Sequence, residues 1–177
     1  MHRLFAAIRP PAGIRDFLAD LMGGVSAARW QDDDQLHLTL RFIGEVDRHA
    51  ARDVHAALGG IHQTPFELMI SGLGMFDKRG VPHTIWAGVA PHEAVKLLHN
   101  KVDQAVARIG IPPDERAFHP HITLARLNRG AGPVHDFLSR SSGVQSQSFR
   151  VDAFGLFESQ LTPDGAVYTE IERYPLA

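Results

Sequence analysis

Two short segments of the chain alternate polar and apolar residues in the same way, and both place a histidine and a threonine on the polar side. The first reads Leu-His-Leu-Thr-Leu-Arg from Leu36, and the second reads His-Ile-Thr-Leu from His121. In a β-strand, successive side chains point to opposite faces, so His37 and Thr39 share one face while the leucines point to the other. His121 and Thr123 share a face for the same reason.

These residue types suit chemistry at a phosphodiester. Imidazole has an ordinary pKa near 6.5, so of two histidines near neutral pH one can act as general base and the other as general acid. Charge on the non-bridging phosphate oxygens needs donors held in place, and the hydroxyls of Thr39 and Thr123 can supply them. The same alternation predicts that Arg41 lies beside His37 and adds a guanidinium.

A third His-x-Thr tripeptide, at His62-Gln63-Thr64, serves as an internal control. It precedes Pro65 at a predicted turn between a helix and a strand, and it lacks the flanking alternation. We therefore assign it no function.

The elements that must position the two motifs follow from periodicity, caps and turn residues. Asp47, for example, is a predicted N-cap. We predict helices over 11–21, 47–58, 91–109 and 134–139, and strands over 4–8, 36–43, 66–75, 84–89, 119–127, 149–157 and 167–174. This mixture predicts an α+β protein.

The two halves of the chain repeat one order of elements. Each half shows a His-x-Thr strand, a helix and two further strands, with Phe76 or Phe157 in the first of those strands and Trp86 or Tyr168 in the second. The order predicts an internal duplication. We expect two lobes related by a pseudo-twofold axis, each with an antiparallel sheet flanked by helices, and an active-site cleft between them.

The residues Leu40-Arg-Phe-Ile-Gly44 after the first motif, and Pro120-His-Ile-Thr-Leu-Ala-Arg126 around the second, resemble the paired motifs of the 2H phosphoesterase superfamily. Within it, the chain is similar to the RNA 2′,3′-cyclic phosphodiesterases, also called 2′-5′ RNA ligase-like proteins. The resemblance covers about residues 3 to 175. It implies one bilobal domain over residues 1–177, with motifs at 37–40 and 121–124.

The resemblance further implies metal-independent hydrolysis of RNA 2′,3′-cyclic phosphate ends, or of 2′,3′-cyclic nucleotides, to 2′-phosphomonoesters without a cofactor. In that reaction His37 corresponds to the proton donor and His121 to the proton acceptor. Thr39 and Thr123 correspond to the hydroxyls that bind the phosphate.

Two further positions carry the resemblance less directly. Arg126 corresponds to the arginine after the second motif, although strict alternation places it on the opposite face from His121, so a β-bulge is needed to bring it into the cleft. Phe42 occupies the matching place after the first motif, where it either stacks on a base or packs in the cleft. Phe5 has the same two interpretations.

Three alternatives remain open. His37, His119 and His121 could nominally supply three nitrogens to a metal, although no cysteine or closely spaced carboxylate accompanies them. The same cleft could bind RNA ends without turnover. The reverse chemistry could join a cyclic phosphate end to a 5′-hydroxyl in a 2′-5′ linkage.

Composition limits the protein class. The chain has no cysteine, so a thiolate metal site or a disulfide is excluded. The net charge is -2, so the composition does not indicate a protein that coats nucleic acid with an overall positive surface. Because the chain shows neither a signal-peptide pattern nor a membrane-spanning apolar stretch, we predict a cytoplasmic protein. We expect a monomer whose partners are RNA ends or small cyclic nucleotides.

Overall fold

Nine strands of the protein join in one antiparallel sheet, in a computed structural model that describes all residues from 1 to 177. Four α-helices and one 3₁₀ turn connect the strands. In chain order the elements are β1 (His2–Ile8), α1 (Ala12–Leu21), β2 (Ser26–Trp30), the 3₁₀ turn (Asp33–Gln35), β3 (Leu38–Val46), α2 (Arg48–Gly59), β4 (Phe66–Lys78), β5 (Val81–Ala90), α3 (Glu93–Arg108), β6 (His121–Gly132), α4 (His135–Arg140), β7 (Phe149–Val151), β8 (Ala153–Thr162) and β9 (Gly165–Pro175).

The predicted elements are confirmed with small changes at their ends. Asp47 caps α2 as predicted, because its side chain accepts a hydrogen bond of 2.8 Å from the backbone N–H of Ala50. The short strand β2 and the 3₁₀ turn were not predicted. The predicted strand over 149–157 is two strands, β7 and β8, which pair with different neighbours.

The main apolar core lies between the sheet and the helices. The leucines that alternate with the polar motif residues, Leu38 and Leu40, are 1% exposed and belong to this core. Helices α2 and α3 add Val54, Leu58 and Leu98, which follow helical spacing and are fully buried. The opposite face of the motif strands is therefore left free for the cleft. None of the four α-helices combines the length and the apolar composition that a membrane-spanning helix requires.

The two motif strands lie side by side at the middle of the sheet. Strands β3 and β6 are antiparallel neighbours, and they pair at only one position, Leu38 with Ile122. Each of these residues directly follows its motif histidine, so a pseudo-twofold axis passes through the pair. Beyond it the strands separate, and the space between the two halves is the cleft.

The strands on either side of the motif strands obey the same symmetry. Strand β1 pairs with β3 so that Ala7 lies opposite Thr39, and β5 pairs with β6 so that Trp86 lies opposite Thr123. Strand β1, from the start of the chain, thus occupies the sheet position that β5 occupies in the other half. The hairpin β8–β9 then attaches to the free edge of β1, and β9 forms one edge of the sheet.

Candidate active site

Both motif histidines are fixed by the same backbone contact. The Nδ1 of His37 lies 2.7 Å from the carbonyl oxygen of Gln35, and the Nδ1 of His121 lies 2.6 Å from that of His119. A carbonyl oxygen only accepts hydrogen bonds, so each Nδ1 carries a proton. In the neutral ring, Nε2 is then the nitrogen with a free lone pair.

The two threonines accompany the histidines into the cleft. Thr39 and Thr123 are half-buried cleft residues, whereas Leu38 and Ile122 beside them are buried in the core. The Oγ1 of Thr39 is 3.0 Å from Nε2 of His37. The alternation predicted for the two motifs is therefore confirmed, and the motifs are brought together at one cleft.

A β-bulge follows each motif and changes the alternation. Strand β3 carries one extra residue between Thr39 and Arg41 relative to β1, and β6 carries one between Thr123 and Ala125 relative to β5. In each bulge two consecutive residues face the core, so the next residue returns to the cleft side. These next residues are Phe42 and Arg126, and both line the cleft.

The bulge also corrects the prediction for Arg41, which does not share the face of His37 and Thr39. Arg41 points away from the cleft and is only 6% exposed. Its Nε lies 2.6 Å from Oδ1 of Asp103, and its guanidinium also donates to the carbonyl oxygens of Phe42 and Pro112. Arg41 thus joins β3, α3 and the segment before β6 on the side of β3 away from His37 and Thr39.

Aromatic rings surround each histidine. The His37 ring centroid is 4.9 Å from that of Phe5 and 5.1 Å from that of Tyr168. The His121 centroid is 4.9 Å from Phe76 and 6.1 Å from Trp86. Sequence reasoning did not assign Tyr168, Phe76 or Trp86 to the site, although the aromatic residues repeated in the two halves were the signal that could have identified them.

The cleft has a volume of about 490 Å³, and its walls carry only cationic and neutral side chains. Besides the two motif histidines, the lining includes Arg3, His83, Arg116 and Arg126, and it includes no Asp or Glu. Of these four, only Arg126 was predicted. The lining favours an anionic ligand, since opposite charge is needed to offset the desolvation of a phosphate.

Burial is the main influence on the protonation of both histidines. Burial and, to a smaller extent, the nearby charges of Arg126 and His121 together lower the pKa of His37 to about 4, although the hydrogen bond to Gln35 acts in the opposite direction. Burial also lowers the pKa of His121, and so do the charges of His119 and Arg126. Both imidazoles are therefore neutral at pH 7 when the cleft holds no anion.

The metal alternative finds no matching arrangement, because the structure contains no group of three His, Asp or Glu side chains placed to hold a metal ion. His119 packs edge-on against Trp86 at 4.8 Å between ring centroids.

The control tripeptide lies outside the cleft. His62 is exposed, and its carbonyl oxygen accepts a 2.5 Å hydrogen bond from Nζ of Lys101.

The chain matches a known protein family over most of its length. The model of the 2′-5′ RNA ligase superfamily matches residues 10–163, a span that contains both motif strands and both bulges. The chain belongs to the 2′-5′ RNA ligase superfamily.

Several relatives in this superfamily align over nearly the whole chain. The RNA 2′,3′-cyclic phosphodiesterase of Archaeoglobus fulgidus is 29% identical over 96% of this chain and 97% of its own. The enzyme of the same name from Thermus thermophilus is 33% identical over 98% and 90% of the two chains. The crystal structure of E. coli LigT complexed with 3′-AMP is 29% identical, with a TM-score of 0.80 over 99% of this chain and 98% of that one. The superfamily fold thus extends to β1 and β9, beyond the matched residues.

Proposed function

We propose that the protein hydrolyses RNA 2′,3′-cyclic phosphate ends, or small 2′,3′-cyclic nucleotides, to 2′-phosphomonoesters. The observation that carries the proposal is the placement of two half-buried imidazoles, each with its Nδ1 bound to a backbone carbonyl, on opposite sides of one cleft without carboxylates. The names of the relatives from Archaeoglobus fulgidus and Thermus thermophilus support the same reaction.

The proposed reaction uses the two halves of the cleft for opposite proton transfers. Nε2 of His121 accepts a proton from water as the water oxygen attacks phosphorus. The bond between phosphorus and O3′ breaks, and Nε2 of His37 donates a proton to O3′. The bond to O2′ is kept, so the product is a 2′-phosphate. The histidines exchange protons with solvent before the next turnover.

The remaining cleft residues stabilise the phosphate in this proposal. The hydroxyls of Thr39 and Thr123 donate to the non-bridging oxygens, and Arg126 adds a charge-assisted contact. Its guanidinium is supported by Oγ1 of Thr84, 3.5 Å from Nη1. Phe42 contributes an exposed ring, over which the Arg3 guanidinium lies at 5.3 Å. The bound anion also offsets the effect of burial on His37, so its pKa rises and the ring can carry the proton it must donate.

The test compares three identical substitutions at the three His-x-Thr tripeptides. His37→Gln and His121→Gln should each lower turnover of a 2′,3′-cyclic nucleotide by about 10²–10⁴-fold, the usual contribution of a positioned acid or base. His62→Gln is the matched control and should behave as the wild type. The assay contains excess chelator and separates 2′- from 3′-phosphate products.

Three results would contradict the proposal. Substantial turnover in either motif variant would remove the acid–base roles, and turnover only after metal is added back would favour a metal site. An RNA end that binds without turnover would identify a binding module instead.

The cytoplasmic location and the monomeric state remain predictions. Light scattering tests the latter, with 19.5 kDa expected.

A further inference from the structure

Arg126 is held in the cleft by a single side-chain hydrogen bond. Its Nη1 donates to Oγ1 of Thr84 across 3.5 Å, and no carboxylate pairs with it. Arg116, in contrast, is paired with Asp114 through two contacts, of 3.0 Å from Nε to Oδ1 and 2.9 Å from Nη2 to Oδ2. Because Arg126 is exposed, the orientation of its guanidinium in the free protein depends on Thr84.

Thr84 is the one threonine that the protein buries, with 1% of its surface exposed. It lies in β5, where it is paired with Arg126 of β6 on one side and with Phe76 of β4 on the other. Its Oγ1 also lies 2.8 Å from Nδ1 of His83. A buried hydroxyl costs free energy unless it is hydrogen-bonded, so both contacts of Oγ1 stabilise its position.

The directions of these hydrogen bonds follow from the groups involved. A guanidinium carries only donors, so Oγ1 of Thr84 accepts from Nη1 of Arg126. The hydroxyl proton of Thr84 is then donated to the other partner, Nδ1 of His83, which must present its lone pair. His83 is therefore a neutral imidazole whose proton lies on Nε2.

This protonation is the reverse of that in the two motif histidines. His37 and His121 carry a proton on Nδ1, because each Nδ1 faces a backbone carbonyl oxygen. His83 lines the same cleft but faces a hydroxyl. A proton on Nδ1 of His83 would leave the buried hydroxyl proton of Thr84 without an acceptor, which costs free energy. The tautomer of His83 is thus tied to Arg126 through Thr84.

We propose that His83 and Thr84 are positioning residues for Arg126 and that they act through this series of hydrogen bonds. We call the three residues the positioning chain. The inference rests on the proposed function above. With Nη1 anchored to Thr84, the remaining N–H groups of Arg126 stay available for the non-bridging oxygens of the cyclic phosphate. A guanidinium held in place before the reaction stabilises the transition state without reorganising, so loss of the chain should lower kcat more than it raises KM.

Substitutions at Thr84 separate the role of the hydroxyl from that of side-chain packing. Thr84→Val keeps the branched shape and removes the hydroxyl, so kcat for a 2′,3′-cyclic nucleotide should fall by about tenfold while KM changes less than about twofold. Thr84→Ser keeps the hydroxyl and should recover most of this loss. Thr169→Val is the matched control and should behave as the wild type, because Thr169 is an exposed residue of β9 outside the cleft.

Substitutions at His83 separate the roles of its two ring nitrogens. Asn places its amide oxygen near the position of Nδ1 and keeps an acceptor for Thr84, whereas the longer Gln places its amide near the position of Nε2. His83→Asn should therefore keep most of the wild-type kcat, and His83→Gln should lower it as far as Thr84→Val does. Equal losses in the two His83 variants would contradict the role of Nδ1.

Arg126→Gln tests whether the chain acts through the guanidinium. In an Arg126→Gln background, Thr84→Val should cause no further loss of kcat, because the group that Thr84 positions is absent. Losses that multiply would show that Thr84 supports β5 instead, so the positioning chain would fail while the proposed function stands. No turnover in the wild type would overturn both.

The tautomer of His83 provides a second measurement, which needs no turnover. Long-range proton–nitrogen correlation spectra of the isotope-labelled protein at neutral pH should show His83 protonated at Nε2, and His37 and His121 protonated at Nδ1. The signals of His83 are identified by their loss in His83→Asn. Protonation of His83 at Nδ1 would overturn the positioning chain even in an active enzyme.

Discussion

The imidazole of His37 is the most restricted group in the cleft. Its Nδ1 is bound to the backbone, its Nε2 faces Thr39, and its ring lies between Phe5 and Tyr168. Burial of this ring disfavours its charged form, so its pKa falls to about 4. A proton donor with this pKa is neutral in the free protein near pH 7, so it must take up its proton when the anionic substrate binds.

The lowered pKa values predict the pH dependence of catalysis. kcat/KM reports the free protein, in which the acid limb comes from protonation of the base and the basic limb from loss of the proton on the acid. Since the pKa of His37 is about 4 and that of His121 lies below 6.5, kcat/KM should peak between these values and fall as pH rises further. The bound phosphate raises both pKa values, so the peak of kcat should lie at higher pH. Steady-state kinetics across pH checks both.

Arg126→Gln provides the control for this profile. Its positive charge contributes to lowering the pKa of both histidines, so its removal should move both limbs of kcat/KM to higher pH. The limbs belong to the coupled pair rather than to either ring alone. A wild-type basic limb well above pH 6.5 would show that the free protein does not hold both imidazoles neutral.

The two bulged strands show how far the sequence alone predicts which side chains share one face of a strand. Alternation correctly predicted that His37 and Thr39, and likewise His121 and Thr123, share one face. It failed two residues later at Arg41 and three residues later at Arg126, because a bulge depends on the partner strand. The family resemblance, which compares positions rather than faces, still indicated Arg126 correctly as a cleft residue.

Elements with a clear local sequence pattern were predicted, and those without one were not. The N-cap of α2 depends on residues four positions apart at most, and it was predicted at Asp47. Strand β2, with the sequence Ser-Ala-Ala-Arg-Trp, has neither alternation nor β-branched residues and exists because it pairs with β6. Tyr168 reaches His37 only because β1 lies between β3 and β8, and no local pattern contains that order.

The contacts of Arg41 predict a large loss of stability on its replacement. Arg41→Met leaves the carboxylate of Asp103 without its guanidinium partner and removes donors from two carbonyl oxygens. Because Asp103 is still 22% exposed, we expect a loss of about 3 kcal/mol, the lower end for a broken buried ion pair. Urea denaturation measures the free energy of unfolding.

Arg173→Met is the matched control for that substitution. Arg173 also pairs with an aspartate, Asp152, but both side chains are 63% exposed. Exposed pairs contribute little, so the loss should be below about 1 kcal/mol. Equal losses in the two variants would mean that Arg41 does not join β3, α3 and the segment before β6 in solution.

At the scale of the whole molecule, positive side chains are concentrated in the cleft although the net charge of the chain is negative. The whole chain has a net charge of -2. The cleft, in contrast, is lined by arginine and histidine side chains and by no Asp or Glu. Anionic substrates are thus attracted at one place on a molecule that otherwise carries excess negative charge. This arrangement disfavours nonspecific coating of RNA.

Salt dependence should reveal this local attraction. The logarithm of kcat/KM for a short RNA with a cyclic phosphate end should fall linearly with the logarithm of salt concentration, by roughly 0.7 per phosphate contacted. Arg126→Gln should reduce the slope by about that amount. Arg129→Gln, three residues along β6 and outside the cleft, should leave it unchanged. Identical slopes for all three proteins would place the attraction elsewhere.

The position of β1 between β3 and β8 also affects how the protein is made. During translation, the half of the sheet that contains β5 and β6 can assemble from consecutive residues once β6 has emerged. Strand β1, in contrast, keeps an unpaired edge until residues 153–162 leave the ribosome, because β8 is its partner. The ring of Tyr168, which packs against His37, arrives later still. The half of the cleft that holds His37 is therefore the last to be completed, and a nascent chain stalled before β8 exposes the edge of β1 to chaperones and to other chains.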